Sequence, residues 1–553
     1  MQENSVTASP DATPDATTGV LLSLTQGSED YKAKHEEAKT RISELEKKVE
    51  EYQRAYVVLL EAFRKLEAGI HGQSREKHIN PESSQQVLQF VLDALAPKKQ
   101  PEVEKSEVQV PAHARVKPTG RKPLSEDLPR IDVEVLPLEV QKEGLDAFEK
   151  MGETVSETVE KRPSSLVVVR TVRPKFVRKQ ADVSSAPVVQ APPPELPLPK
   201  ALAGPGLLAD SIVKRFQEHS PLHRMERIYG REGLSLARST LCGWHQEVSS
   251  LVQPLWKAMW EDALQNSPYL CMDATGVLVQ QQEKCRTGHF FVMVAPERCV
   301  VFGYSPKHDK NAVDTLLADY KGYLVADAHS VYNHLYENGV VEVACWAHVR
   351  RYFWKALSTD KARGNHALNA IQKLSLFERE WATSPPEEKR RLRQEYSIPI
   401  AREFLTWCEV ERMKALEETP IWKGLNYACN QKEALLRFAE DGRLPLTNNI
   451  SERHLRREAL GRKNWLFVAT DEGGTVNATL VTLLASCEMH GIEPFAWLRD
   501  VLCLLPEWNV QNVLELSPMK WRETSQREDV QKKLEANAWR QVSTGKLKPR
   551  GEA

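Results

Sequence analysis

An α/β core interrupted by a long helical insertion is the fold class this sequence predicts, and three acidic segments predict it. The first is Pro268-Tyr-Leu-Cys-Met-Asp-Ala-Thr-Gly-Val-Leu-Val-Gln280, a run of β-branched and apolar residues with Asp273 in its middle. Aspartate is depleted in strands and costly to bury without a partner, so its place there needs a reason. The second is Gly322-Tyr-Leu-Val-Ala-Asp-Ala-His329, a short apolar run that ends in Asp327. The third is the stretch Thr447 to Phe467, which puts Glu452 just inside a helix start.

The segments between them complete the pattern. Gly288 to Ala295 and Cys299 to Tyr304 read as a strand pair, and Asn311 to Tyr320 as a helix. The order is strand with acid, two strands, helix, strand with acid, and finally helix with acid. That order is the one an RNase H-like fold presents. Three carboxylates in such a fold can hold two divalent ions, Mg2+ or Mn2+, about 4 Å apart. Magnesium favours oxygen ligands and keeps coordination positions open for phosphate oxygens. Taken singly, each Asp also reads as a polar residue at a turn or strand end.

Glu452 is followed by five basic side chains, Arg453, Arg456, Arg457, Arg462 and Lys463. An acid ringed by cations suits a metal-holding carboxylate whose neighbours bind phosphates. A solvated helix face with i,i+4 pairs, such as Glu452 with Arg456, is the plainer alternative.

Several of these segments resemble the transposase subunit of the insertion-sequence-66 family, a group of bacterial DDE-type transposases. The resemblance rests on Asp273-Ala-Thr275, Asp327-Ala-His-Ser-Val-Tyr332, Cys345-Trp-Ala-His-Val-Arg-Arg-Tyr-Phe353, Asn448-Asn-Ile-Ser-Glu-Arg453 and Arg462-Lys-Asn-Trp-Leu-Phe467. Asp471-Glu-Gly-Gly474, Gly491-Ile-Glu-Pro494 and Trp497-Leu-Arg-Asp500 extend it, so that it spans roughly residues 205 to 510. It implies that Asp273, Asp327 and Glu452 are the catalytic, metal-holding triad. It implies double-stranded DNA as the partner, both the terminal inverted repeats of the element and its target, and companion proteins from the same element. The chain departs from the family pattern at Thr447, where Asp is usual, and at Ala328, where Gly is usual.

Composition suits a multidomain protein of the cytoplasm. The 553 residues carry 27% charged side chains and a formal net charge of -1. A near-neutral total leaves DNA binding open, because binding follows local patches. No apolar run is long enough to span a membrane, and the polar start Met1-Gln-Glu-Asn-Ser has no signal-peptide core. Nine cysteines, none before Cys242 and none in a Cys-x-x-Cys pair, fit free thiols in a reducing compartment.

The expected organisation along the chain follows from composition shifts. Residues 1–30 are rich in Ser, Thr, Asp and Pro and read as disordered. Within 31–96, Ile42, Leu45, Val49, Tyr52, Tyr56, Leu59, Phe63 and Leu66 alternate spacings of three and four, the seam of a coiled coil that would make the protein a homo-oligomer. One amphipathic helix packed on its own domain is the alternative. Residues 97–130 read as a linker and 131–182 as a small β-rich unit resting on its own small core, hence weakly ordered. The family resemblance implies a zinc module there, but no cysteine is present to hold zinc, so no structural zinc is expected. A Pro-rich linker covers 183–205 with polyproline character.

Residues 206–262 read as helices in a helix-turn-helix arrangement, with Arg238 and Trp244 on the helix that would meet DNA; a plain helical bundle is the alternative. The core then occupies 263–358 and 446–510. His348, Arg350 and Arg351 read as phosphate contacts or as ordinary core and surface residues, and Asn449 as a residue that orients Glu452, caps its helix or meets DNA. A helical insertion at 359–445, with Trp381, Trp407 and Trp422 as anchors, is too long for a compact core and is expected to form a subdomain over the site. Residues 511–553 are basic and polar and read as a frayed tail.

The function these features predict is metal-dependent DNA cleavage at element ends followed by strand transfer. The alternatives are a cut-only nuclease of the same fold, or a catalytically inactive DNA-binding relic.

Overall fold

The computed structural model describes residues 35–53, 55, 56 and 59, and residues 124–547 with gaps at 127, 163–164, 180–187, 200 and 282–283. The expected disorder at 1–30, most of the 97–130 linker, and the heptad positions Phe63 and Leu66 lie outside the described residues. The chain divides into two compact units. The smaller takes in the N-terminal stretch with 349–372 and 403–430; the larger takes in 108–348, 373–402 and 431–553. Among the described residues no helix is long and apolar enough to cross a membrane.

In the smaller unit, a helix over 35–53 (α1) bears the heptad seam. Ile42, Leu45, Val49, Tyr52, Tyr56 and Leu59 are all exposed. The unit's described segments 349–372 and 403–430 are mostly helical, and its core gathers Phe353, Phe404 and Trp407, with ring centroids 5.8 to 6.3 Å apart.

The larger unit holds two sheets. The first is built from β1 (Arg130–Glu134), β2 (Phe148–Arg162), β3 (Ser165–Arg178) and β4 (Val188–Gln190). The expectation of a weakly ordered unit with its own small core is corrected here. Val159, Leu166 and Val168 belong to the main core of the unit, and Ile131, Val167 and Val169 are closed over by Trp539 and Val542 from the far end of the chain. The Pro-rich stretch is corrected too, since Val188–Gln190 pairs with Lys175–Val177 and Leu198 and Ala203 are buried. Glu160, fully buried in β2, accepts from the Lys161 backbone N–H at 2.7 Å and packs its carboxylate against the start of the next helix, α2 (Pro205–Phe216). A Cβ on Gly206 would lie 2.0 Å from Glu160 Oε1, so only glycine admits the carboxylate.

Helices α2, α3 (Leu222–Arg231), α4 (Arg238–Leu251) and α5 (Gln253–Asn266) follow. They bury Leu207, Leu208, Ile212, Met225, Tyr229, Leu241, Trp244 and Val248 in the main core. The second sheet then runs β5 (Tyr269–Val279), β6 (Arg286–Ala295), β7 (Cys299–Ser305), α6 (Lys310–Leu317), β8 (Tyr323–Ala326) and β9 (Val341–Ala344). Its order is β7-β6-β5-β8-β9, with β5 to β7 antiparallel and β8 and β9 parallel to β5. Strand β6 is buried along most of its length, as an interior strand covered on both faces must be.

After α7 (Trp346–Ala356), the insertion comprises α8 (Lys361–Glu380), α9 (Pro386–Leu392), α10 (Ile398–Lys414), α11 (Pro420–Asn430) and α12 (Lys432–Leu436). Its helical character agrees with the sequence reading, and its residues are shared between the two units. The chain returns through α13 (Asn449–Trp465), the short β10 (Phe467–Val468) beside β5, and α14 (Asp471–Met489). Helix α14 is buried on nearly every face. Its Thr482 and Ser486 hydroxyls accept the backbone N–H groups of Phe302 and Val300 at 2.8 and 3.1 Å, which covers the edge of β7.

The tail is not frayed through residue 547. After α15 (Pro494–Leu504), helices α16 (Pro518–Thr524), α17 (Glu528–Ala536) and α18 (Ala538–Ser543) bury Trp521, Val530, Leu534, Trp539 and Val542. Sparse apolar residues at helical spacing, diluted by charge, hid this from the sequence reading.

Candidate active site

Two of the predicted acids lie at one edge of the second sheet. Cys271 of β5 lies opposite Val325 of β8, and Val325 lies opposite Val343 of β9. Two residues on from these come Asp273, within β5, and Asp327 and Cys345, each the first residue past the end of its strand. Neighbouring strands lie about 4.8 Å apart, and both aspartates follow the paired Cys271 and Val325 by two residues, at the carboxyl-terminal edge of the parallel strands. In open α/β sheets that edge is where ligands bind. Both carboxylates act electrostatically on the same phenol. Burial pushes the Tyr332 hydroxyl well above its usual value, and the charges of Asp327 and Asp273 push it further.

Glu452 arrives on α13. The helix starts beside β5 because Asn448, fully buried at its N-cap, donates from Nδ2 to the Met272 carbonyl at 2.6 Å. Glu452 sits in the first helical turn, where the helix dipole favours a negative charge. Its Oε1 lies 3.8 Å from His348 Nε2. Farther along the same helix, Arg462 donates to Thr275 Oγ1 at 2.9 Å and to the Gly276 carbonyl, so α13 is pinned to β5 at both ends. Among the described residues no three His, Cys, Asp or Glu side chains are gathered tightly enough to hold a metal ion as they stand.

The other predicted residues on α7 and α13 fall into four groups. Arg453, Arg456 and Lys463 are exposed on α13, available to a phosphate backbone. Arg457 is paired with Glu488, and Arg462 is committed to the sheet, so both serve structure in this arrangement. Asn449 is exposed, and the anchoring role expected of it belongs to Asn448. Arg350 and Arg351 are exposed and belong to the smaller unit.

Trp244 is corrected as a DNA contact: it is only 6% exposed and packs in the main core. Its neighbour His245 is also buried, 3.2 Å from Ser211 Oγ, and burial first and Arg215 second push its imidazole down to about 3. The face of α4 that carries these residues therefore braces the core. Arg238 remains exposed, 3.3 Å from Glu226.

Sequence reasoning missed two features beside the acids. His289, His308 and His329 form a row of imidazoles, with centroids 5.1 and 4.5 Å apart, that ends two residues from Asp327. Glu458 is buried on α13 and accepts from Asn477 Nδ2 at 2.9 Å; burial pushes its carboxyl up to about 7. No local sequence signal marks either, since both depend on long-range packing.

Comparison with known proteins adds an independent line. Residues 200–476 match the model described as Transposase IS66 family, residues 482–519 the IS66 C-terminal element, and residues 58–133 the Transposase C of IS166 homeodomain. The uncharacterized protein y4hP of Sinorhizobium fredii (strain NBRC 101917 / NGR234) is 30% identical over 409 residues, covering 69% of this chain and 73% of that protein. The uncharacterized protein y4qI of the same strain is 28% identical over 426 residues, covering 73% and 78%. The first family model takes in Asp273, Asp327, Cys345 and Glu452 within one continuous match, and by that match and the y4hP relationship the chain belongs to the IS66 family of transposases.

Proposed function

We propose that this chain is a DDE-type DNA transposase with an RNase H-like core, cleaving DNA at the ends of its element and joining the freed 3′-hydroxyl to target DNA. One observation supports the reading: Asp273 lies on β5, Asp327 follows the end of the neighbouring parallel strand β8, and the helix bearing Glu452 is anchored to the residue next to Asp273. The strand order, three antiparallel followed by two parallel, supports the core assignment.

The donor set fits Mg2+ or Mn2+. All three groups are carboxylates, the hard oxygen ligands these ions prefer, and the two aspartates are close enough to act on one phenol. Asp273, Asp327 and Glu452 would hold the metal. When bound, two such ions activate the attacking oxygen and stabilise the leaving oxygen of a phosphodiester.

The protein's own groups position the DNA around that chemistry. Arg453, Arg456 and Lys463 neutralise backbone phosphates near the scissile bond. His348 lies against Glu452 and orients its carboxylate. Arg238 is a phosphate contact on the helical segment, and the homeodomain-like match at 58–133 supports a further DNA-binding region. The exposed seam of α1 supports self-association through a coiled coil.

The test separates binding from chemistry. Asp273→Asn and Glu452→Gln are expected to lower cleavage and strand transfer by at least about 10³-fold while the affinity for element ends stays within about threefold of wild type. Either variant joining DNA at the wild-type rate would refute the triad.

A further inference from the structure

We infer that Cys345 is a positioning residue of the catalytic site, whose sulfur fastens together the starts of the two helices that carry His348 and Glu452. The inference rests on the catalytic reading above.

Cys345 is fully buried and is the first residue after β9, as Asp327 is the first after the neighbouring β8. Its Sγ accepts the backbone N–H of Asn448 at 3.1 Å. The His348 N–H bonds to the backbone carbonyl of Cys345 at 3.1 Å, so Cys345 holds both helix starts, one by its sulfur and one by its carbonyl. Asn448 is the N-cap of α13, and Ala347 and His348 open α7. The first N–H groups of any helix lack partners within it, and a buried helix start must find them elsewhere. Here one residue serves two helices that are about a hundred residues apart in the chain.

A second backbone bond reinforces the joint, Trp346 N–H to the Leu446 carbonyl at 3.2 Å. Asn448 then extends it to β5 through Met272. The result is a chain of contacts from β9 through Cys345 and Asn448 to the strand of Asp273. His348 and Glu452, one from each helix, meet at 3.8 Å above it. Removing the sulfur leaves the buried Asn448 N–H without its acceptor and frees the two helix starts to move apart. Displacements near 1 Å at a metal-holding carboxylate are enough to weaken both ion binding and rate.

The experiment uses the full chain and four proteins: wild type, Cys345→Ala, Cys345→Ser and Asp273→Asn. Mn2+ affinity is read by electron paramagnetic resonance without DNA, cleavage by gel assay on end DNA, and folding by circular dichroism and thermal midpoint. Cys345→Ala is expected to weaken Mn2+ binding about 10-fold or more and to slow cleavage similarly, with end-DNA affinity unchanged. Cys345→Ser keeps an acceptor at the same place and is expected to recover most of both losses. A folded Cys345→Ala protein that binds Mn2+ and cleaves like wild type overturns the inference, provided Asp273→Asn has lost both. A folded Cys345→Ser protein no better than Cys345→Ala also overturns it, because the sulfur would then matter for volume rather than as an acceptor. If Asp273→Asn itself keeps Mn2+ binding and cleavage, the catalytic reading fails instead.

Discussion

Replacing Arg393 with methionine should destabilise the larger unit by about 3–5 kcal/mol, and the structure shows where that figure comes from. Arg393 is fully buried within a π-helical turn at Arg393–Ser397, which adds a residue to the helix and turns the guanidinium inward. Its Nε and Nη2 each meet a Glu378 oxygen at 2.7 Å. The remaining donors reach the carbonyls of Phe438, Asp441 and Leu444 at 2.6, 3.0 and 2.8 Å. These carbonyls belong to the segment that brings the chain back to Asn448 and the catalytic helix.

Methionine fills the volume but leaves the three carbonyls without donors and Glu378 half paired. Burial alone would raise the Glu378 carboxyl, yet the bonds from Arg393 and Lys389 hold it below its usual range. Lys389, 2.9 Å away, remains as a partner and keeps the loss toward the lower end. Lysine at position 393 preserves the charge but not the planar fork, so Arg393→Lys should cost roughly half as much. Urea denaturation followed by tryptophan fluorescence measures both. A loss under about 1 kcal/mol for Arg393→Met would refute the idea that this arginine clamps the return segment.

Two further perturbations probe how the ends of the chain complete the fold. Trp539→Ala removes the ring that closes over Ile131, Val167 and Val169 and donates to Thr158 Oγ1 at 3.1 Å; it should cost about 3–5 kcal/mol and speed amide exchange along β3, and unchanged exchange there would contradict the shared core. Glu160 has a folded-state carboxyl pushed up to about 8, chiefly by burial, so the native protein holds a proton that the unfolded chain releases near 4.5. Its contribution is therefore complete below about 4.5 and is lost as pH rises through about 8, a fall of roughly 3–5 kcal/mol. Glu160→Gln keeps Oε1 as acceptor and removes the charge, so it should flatten this loss in denaturation curves at several pH values; a variant with the wild-type pH slope would show that another group is responsible.

The sequence exposed the acids because each broke a local rule. Asp273 interrupts an apolar strand, Asp327 ends one, and Glu452 opens a basic helix, and all three placements are visible within a dozen residues. What joins them was hidden. Asn448 reaches Met272, and Cys345 reaches Asn448, across separations that no local pattern encodes. Trp244 misled for a related reason: polar and basic neighbours at positions 238 to 240 suggested an outward face, while its own ring lies on the inward one. The β-rich unit seemed weak because half of its core, Trp539 and Val542, comes from a tail whose charged residues masked the apolar spacing.

The central claim is that Asp273, Asp327 and Glu452 form one metal-holding site, and a crystal of the full chain with end DNA and Mn2+ tests it most directly. Anomalous density bonded to both aspartates, with Glu452 turned from His348 into the same coordination sphere, is the predicted result. Manganese bound elsewhere while these three carboxylates stay empty would contradict it.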